Sequence, residues 1–279
     1  MLEQEILDLI HIPIEQLTNL VGNSVQYCTI IDENQNESNY FVVNDNIAEI
    51  DFTDKDKTSY IVPHSLELGK RPKGAIFYIN KNDYKGIKNQ KKSMDKKKNR
   101  SRLGNPAGWD KINKNKDYEV YFHRGHIIAY FLGGDKEIYG HDYKALKSLF
   151  IQTAWSNMGK DVNKKGFDNK FSQWYFEEKI IDELEQSSVC IDSRPIYRNK
   201  ADKIPIGIHL QAVTEKESLF NVFLPNIDPN IKINYKNLVY QQIFLTFLFP
   251  PISKQKIYLL LVLFLFPYIL LKVPQKFLN

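Results

Sequence analysis

One stretch rich in aromatic and β-branched residues, Tyr118–Gly134 (YEVYFHRGHIIAYFLGG), constrains the fold more than any other part of the sequence. Its composition is typical of a half-buried strand, and a glycine pair ends it. His123, Arg124 and His126 interrupt the apolar run around a single glycine, where packing alone favours apolar side chains. Because arginine holds phosphate in a fork geometry, histidine exchanges protons near neutral pH and glycine lets a ligand approach the backbone, the stretch favours phosphate-ester chemistry.

Two other interpretations of these histidines stay open from the stretch alone. A single histidine in an apolar strand is often a hydrogen-bonded core residue rather than a catalyst. The spacing of His123 and His126 would also suit zinc on a helix, where positions i and i+3 converge. On a strand these two side chains diverge, whereas Arg124 and His126 share a face, and no cysteine lies nearby.

The composition indicates a globular chain with an uneven charge distribution. Its 279 residues suffice for one sizeable domain and an appendage, and its two cysteines make no disulfide framework. Residues 1–60 contain twelve acidic residues and two lysines, whereas residues 81–102 contain ten lysines or arginines and two aspartates. This basic segment, which includes Lys96, Lys97 and Lys98, is either a solvated surface loop or an arm that neutralises phosphate.

The remaining patterns predict an α+β fold with a mixed or antiparallel sheet. Helical spacing over residues 1–23 predicts a short helical lead-in that Pro13 interrupts. Short β-type runs predict strands at VQYCTII, NYFVV, AEIDF and GAIFYI, and three more between residues 188 and 227. Directly after the central stretch, SLFIQTAWSNMG predicts a second buried strand that ends at Asn157, and residues 171–186 predict a helix.

The predicted helix carries one carboxylate on its apolar side. Spacing of 100° per residue places Glu177 beside Trp174, Ile181 and Leu184. An ionised and unpaired carboxylate in a core would cost several kcal/mol, so Glu177 must be protonated, paired or near a metal. A structural ion pair is the simplest explanation. Together with His126 and Asn157, however, Glu177 completes a strand–strand–helix order in which oxygen ligands suit Mg²⁺.

Four segments in this order, HRGHIIAYFLGG, IQTAWSN, QWYFEEKI and FNVFLPNIDPNIKINYKN, resemble the motifs of the bacterial DNA/RNA non-specific endonucleases. This family is a branch of the ββα-metal (His-Me finger) nucleases, and the resemblance covers about Tyr40 to Asn237. It implies a ββα-metal finger within the α+β fold, sequence-independent cleavage of DNA and RNA, and Mg²⁺ as the cofactor, with Mn²⁺ as an alternative.

The resemblance also implies roles for individual residues. His126 is the expected general base, Asn157 the metal ligand, and Glu177 the carboxylate that fixes metal-bound water. Arg124 holds a phosphate or orders the site, and the expected contacts to the substrate come from Arg124, Ser148, Gln152, Lys96, Lys97 and Lys98. The sequence departs from the family pattern at His123, where the family usually has Asp, and at Ser148, where many relatives have Asn.

These patterns predict an acidic lead-in at residues 1–39, an endonuclease domain at 40–237 and an apolar tail at 238–279. The longest apolar run of the tail, Ile257–Leu271, has fifteen residues, fewer than the roughly 20 of a spanning helix. A tilted membrane anchor, a half-inserted hairpin and a non-native tail are the three interpretations. The start MLEQEILDLI lacks the pattern of a signal peptide, which predicts a cytoplasmic protein or export by a non-classical route.

Two other functions compete with the nuclease prediction. One is a catalytically silent module that binds nucleic acid, because His123 and Ser148 depart from the family pattern. The other is a membrane-tethered protein that works through contact of residues 257–271 with a membrane. A nuclease made in the cytoplasm would also require an inhibitor protein as a partner.

Overall fold

An antiparallel sheet of seven strands forms the centre of the part of the chain that the structure describes. The computed structural model describes residues 1–30, 38–52, 58–64, 71–86, 105–113, 120–133, 148–159, 169–237 and 239–242. Its strands are β1 (Val25–Tyr27), β2 (Phe41–Val43), β3 (Tyr60–Pro63), β4 (Ala75–Ile79), β5 (Phe122–His126), β6 (Leu149–Thr153), β7 (Val189–Ile196), β8 (Gly207–Val213), β9 (Ser218–Pro225), β10 (Ile231–Asn234) and β11 (Val239–Gln242). Its helices are α1 (Glu3–Ile10), α2 (Ile14–Val21), α3 (Trp109–Asn113), α4 (Ala154–Met158) and α5 (Gln173–Glu183).

The large sheet has the order β1-β2-β9-β8-β7-β4-β3, and every neighbouring pair is antiparallel. All seven residues of β8 are buried, because the sheet is covered on both faces at its centre. One face packs against α5 and the β5–β6 pair around Phe150 and Phe176. The antiparallel α+β architecture predicted from the sequence is therefore confirmed.

The strand β5 is shorter than the stretch that predicted it. It ends at His126, and the chain then turns into a 3-10 helix at Tyr130–Leu132. The amide of Ile127 still donates to the carbonyl of Ser148 at 2.9 Å, but the ladder goes no further along the described chain. Ile127, Ile128 and Leu132 are buried in the core below the sheet, so the apolar run after His126 packs as an irregular segment rather than as a strand.

The second predicted strand also ends early, and this changes the position of Asn157. The strand β6 stops at Thr153, whose hydroxyl accepts the amide of Ser156 at 3.0 Å and caps the N-terminus of α4. Asn157 therefore lies on a short helix and not at the end of a strand. Gly159, with φ of +69°, ends that helix in the left-handed conformation.

Asn226, a fully buried residue just after β9, fastens the β5–β6 pair to the body of the protein. Its side-chain amide donates to the carbonyls of Ile151 and Pro205 at 3.0 and 2.9 Å, and its side-chain oxygen accepts the amide of Thr153 at 2.8 Å. This one side chain thus satisfies backbone groups of β6 that the two-stranded pair leaves unpaired. The site residues on β5 and α4 are held in register with the large sheet as a result.

The helix α5 buries a stripe that includes Gln173, Phe176, Glu177 and Ile180. The prediction that Glu177 faces the interior is confirmed. Trp174, which the same spacing placed on the buried side of the helix, is instead 39% exposed and packs edge to face against Phe131, with ring centroids 5.0 Å apart.

The acidic N-terminal segment packs onto the sheet. Pro13 separates α1 from α2, as predicted, and Ile6, Ile10 and Leu17 of these helices are fully buried. Residues 25–27 then form the edge strand β1. The predicted strand AEIDF is wrong, since residues 48–52 have no regular structure and the next strand is β3.

One compact unit spans Met1–Gln242, because β11 pairs with β10 beyond the predicted boundary at Asn237. The apolar tail from residue 243, including Ile257–Leu271, lies outside the described residues. Within the ranges that the structure does describe, no helix is both long enough and apolar enough to cross a membrane.

Candidate active site

His126, the last residue of β5, pairs with Glu177 of α5. Its Nε2 atom lies 2.9 Å from Oε1 of Glu177, and the two side chains are 26% and 5% exposed. The partner that a buried carboxylate requires is thus a histidine 51 residues earlier in the chain. The pair is accessible from the histidine side only, since the carboxylate is covered by the helix and the strands.

Two opposing effects act on the imidazole of His126. Burial disfavours its charged form, which by itself would lower the pKa of His126. The Coulombic attraction of Glu177 and the hydrogen bond to its carboxylate together outweigh burial, so the pKa is raised above its ordinary value of 6.5. Glu177 therefore makes His126 a stronger base than a free histidine, and the neutral form requires a more alkaline solution.

Gln173 connects the pair to both strands. From the first position of α5 its side-chain amide donates to Oε1 of Glu177 at 2.8 Å and to the backbone carbonyl of His126 at 3.0 Å. Its side-chain oxygen accepts Nε2 of Gln152 at 3.0 Å. Both amide hydrogens and the carbonyl oxygen of Gln173 are thus used inside the site. The sequence analysis missed this residue, and its only signal is a position one helical turn before Glu177.

Gln152 and Gly125 pack against each other next to this hydrogen-bond network. Gln152 is fully buried, so it supports Gln173 from below instead of facing a substrate. A Cβ atom at Gly125 would lie 2.5 Å from the Oε1 atom of Gln152 and 2.6 Å from its Cβ atom. The absence of a side chain at Gly125 thus makes room for Gln152. The sequence analysis expected this glycine to let a ligand approach the backbone, and the structure shows a packing role instead.

Asn157 contacts the other histidine of the stretch. Its Nδ2 atom lies 3.3 Å from Nδ1 of His123, which accepts the hydrogen bond when it is neutral. In this arrangement Oδ1 is the amide atom that can face a cation. His123, which stands where the resembled family has Asp, thus orients the amide of Asn157 from β5.

The remaining predicted residues lie in different environments. Arg124 is exposed on β5, on the strand position between the two histidines, where its side chain can meet a ligand. Ser148, at the start of β6, is buried with 4% of its surface exposed. Lys96, Lys97 and Lys98 lie outside the described residues.

The described donor atoms are compatible with a hydrated divalent cation. Among the residues that the structure describes, no three His, Cys, Asp or Glu side chains converge as a metal cage. His123 and His126 contact different partners, Asn157 and Glu177, so they do not share one ion. A single amide oxygen from Asn157 fits Mg²⁺, which keeps several of its waters and takes few protein ligands.

The fold of this chain is similar to that of NucA, a protein with two solved structures. Two crystal structures of NucA from Streptococcus agalactiae, one without metal and one with a magnesium ion bound, match the chain over most of their length. The metal-free structure is 22% identical, with a TM-score of 0.60, and the match covers 82% of this chain and 94% of that one. The magnesium-bound structure is 21% identical, with a TM-score of 0.58 and coverage of 82% and 95%. No protein-family model matches the sequence. The likeness shows that this chain shares the fold of NucA over most of its length.

Proposed function

We propose that the protein is a divalent-metal-dependent endonuclease that hydrolyses phosphodiester bonds of DNA and RNA without sequence preference. The main support for the proposal is the His126–Glu177 pair. The strand β5, which ends at His126, also carries the exposed Arg124, and Asn157 lies on the helix α4. The similar fold of NucA, which binds a magnesium ion in one of its structures, supports a divalent-metal site. No described side chain of the site is arranged as a reader of base edges, which supports indifference to sequence.

His126 acts as the general base. Its Nε2 hydrogen is directed at Glu177, so the lone pair of the neutral ring is on Nδ1 and accepts a proton from water. The oxygen of that water forms a bond to phosphorus as the ester bond to the leaving oxygen breaks, and the proton stays on His126. A positioned base of this kind contributes about 10²–10⁴ in rate. Glu177 then stabilises the imidazolium, which is the role that its direct contact with the ring supports.

Asn157 would hold the metal through Oδ1, with Mg²⁺ as the expected ion and Mn²⁺ as a substitute. The bound ion supplies stabilisation of the negative charge on the phosphate and on the leaving oxygen. His123 keeps the amide oriented, and Arg124 holds a phosphate oxygen of the substrate in its fork. The lysines at 96–98, which lie outside the described residues, are proposed as further phosphate contacts, and this predicts an affinity that falls steeply with salt.

A plasmid-nicking assay and a labelled-RNA cleavage assay test the proposal directly. Wild-type protein should cleave both substrates with Mg²⁺ or Mn²⁺ and neither with EDTA. His126→Ala should lose cleavage while it still binds DNA, because the change removes the base. It also leaves the buried Glu177 with the amide of Gln173 in place of its ion pair, so circular dichroism verifies the fold of the variant.

His64→Ala provides the control, since His64 is a histidine that pairs with Asp192 outside this site. Cleavage by His126→Ala within tenfold of wild type would contradict the assignment of the base. Binding without any metal-dependent cleavage in the wild type would favour the silent binding module instead.

A further inference from the structure

Trp174 and Phe131 form an aromatic pair beside the candidate active site. Trp174, the second residue of α5, comes one helical turn before Glu177, and side chains at this spacing are neighbours on a helix surface. Phe131 lies in the 3-10 helix that follows β5, a few residues after His126. The two rings meet edge to face, with centroids 5.0 Å apart and an angle of 82° between their planes. The pair thus connects the two chain segments that carry the base and its carboxylate.

The exposure of Trp174 sets it apart from the other aromatic side chains that the structure describes. Among those side chains it is the only aromatic one that is exposed rather than buried or partly buried, with 39% of its surface accessible. Phe131 is partly buried and packs against the main core. The core-anchored ring of Phe131 therefore supports Trp174 on one side, and the rest of the indole faces solvent at the entrance to the site.

The backbone at Trp174 is tied to the catalytic pair through its neighbour Gln173. The side-chain amide of Gln173 donates to the carbonyl of His126 at 3.0 Å and to Oε1 of Glu177 at 2.8 Å. These bonds fix the first turn of α5, and with it the position of the indole relative to His126. A binding surface that is already ordered loses little entropy when a ligand binds.

We propose that Trp174, supported by Phe131, stacks against a nucleobase of a single-stranded substrate, next to the phosphate that His126 attacks. The inference rests on the proposed nuclease function and names its preferred substrate class. Every base has a π face, so stacking on an aromatic ring tolerates any sequence. In a duplex these faces are covered by the neighbouring base pairs, and a base must leave the stack before it can meet a side chain. The exposed indole therefore favours single strands of DNA or RNA.

Fluorescence titration in EDTA tests the stacking in the absence of cleavage. Of the three tryptophans, Trp109 and Trp155 are buried, so a base that stacks on an indole should quench mainly Trp174. Short oligomers of dT and of U should both quench the wild-type protein. An abasic oligomer of equal length keeps the phosphates and should not quench. In Trp174→Phe the fluorescence response should disappear, while the affinity for the dT oligomer, measured by anisotropy, should stay within about threefold of wild type because an aromatic ring remains.

Trp174→Leu keeps an apolar side chain and removes the ring. It should weaken binding of the dT oligomer about 5- to 140-fold, the range measured for loss of one base–aromatic stack. Binding of the abasic oligomer and of a duplex should not change. Ile47→Ala is the control, because it truncates another exposed apolar side chain, in the segment after β2, and it should leave all affinities unchanged. Circular dichroism verifies the fold of each variant.

Cleavage by the wild-type protein then locates the stacked base. A dT oligomer with a single abasic nucleotide should be cut poorly at the phosphate beside that nucleotide and normally elsewhere. Uniform cleavage along this strand would overturn the proposed position. Equal quenching by the abasic and dT oligomers, or equal losses of single-strand and duplex binding in Trp174→Leu, would overturn the stacking itself, and plasmid nicking by the wild type would then still support the nuclease assignment. Base-dependent quenching in a protein that cleaves nothing would support the stacking and contradict the nuclease assignment alone.

Discussion

Replacement of Glu177 by glutamine separates its effect on the basicity of His126 from its effect on packing. The Glu177→Gln substitution keeps the shape of the side chain and an oxygen that can accept from Nε2 of His126, so the fold should be retained. What disappears is the negative charge 2.9 Å from the ring. Hydrogen bonds to charged groups contribute about 1.5–3 kcal/mol, and each 1.36 kcal/mol corresponds to a factor of ten in rate. We therefore expect cleavage to slow by about 10- to 150-fold above the titration of His126.

The pH dependence of cleavage tests the effect of Glu177 on His126 more specifically than the rate at one pH does. Burial lowers the pKa of His126, and only the charge and hydrogen bond of Glu177 raise it above its ordinary value of 6.5. Cleavage requires the neutral ring, so in the wild type the rate should rise with pH through a value above 6.5. In Glu177→Gln burial remains and the Coulombic attraction is lost, so this acidic limb should move to lower pH.

Glu178→Gln is the matched control for this experiment. It makes the same chemical change at the next position of α5, where the side chain is exposed. We expect a rate within threefold of wild type and an unchanged pH profile, because an exposed carboxylate is screened by solvent. The measurement is kcat/KM for a short labelled DNA duplex across the pH range, with circular dichroism to verify folding. An acidic limb that stays in place in Glu177→Gln, or one that moves equally in Glu178→Gln, would refute the role of Glu177.

Three further predictions concern the support of the site. Gln173→Ala should lower kcat about 10- to 100-fold with little change in KM, because the carbonyl of His126 loses this donor and Nε2 of Gln152 keeps only its 3.4 Å contact with Ser156. Single-turnover kinetics measure this, and an unchanged kcat would show that the amide network has no role in catalysis. Asn157→Ala should raise the Mg²⁺ concentration for half-maximal cleavage by at least about tenfold. Asn237→Ala is the control, because Asn237 is an exposed asparagine, and it should leave that concentration unchanged. Equal Mg²⁺ titrations of the two variants would show that the ion binds elsewhere. The pKa of His126 is raised in the folded state, so its pair with Glu177 should stabilise the fold fully below pH 6.5 and lose this contribution as pH rises through the raised pKa. Urea unfolding near pH 6 and near pH 9 should show this loss in wild type. In Glu177→Gln only burial acts on the ring, so His126 should contribute no such loss.

The sequence predicted the members of the site better than their contacts. Helical spacing over α5 placed Glu177 inside, because a 100° period assigns each position to a face without any knowledge of the neighbours. The same period could not identify His126 as the partner, since 51 residues separate the two and the pairing depends on how β5 packs against the helix. Helical spacing also predicted the wrong burial for Trp174, whose ring packs against Phe131 and stays partly exposed.

Strand ends were the least predictable features, for a physical reason. The residues after His126 have strong β propensity, and the pattern after Thr153 was also predicted as strand, yet β5 stops at His126 and β6 at Thr153. β propensity describes how well a side chain fits a pleated, half-buried surface. The same apolar side chains can also be buried in an irregular segment or a short helix, so propensity alone does not locate the end of a strand. The decisive signals are polar: Thr153 caps α4, and Asn226 supplies the hydrogen bonds that a third strand would otherwise give.

The two glutamines of the site show why part of the machinery has no sequence signal of its own. A charged residue in an apolar run conflicts with burial, and that conflict drew attention to His126 and Glu177. A glutamine causes no such conflict, because on a predicted helix or strand it is equally compatible with a solvated face. Gln173 becomes informative only when its amide is found between the carbonyl of His126 and the carboxylate of Glu177, with Gln152 packed against Gly125 below it. The glycine that was expected to admit a ligand thus makes room for the side chain that donates to Gln173, and Gln173 in turn contacts both His126 and Glu177.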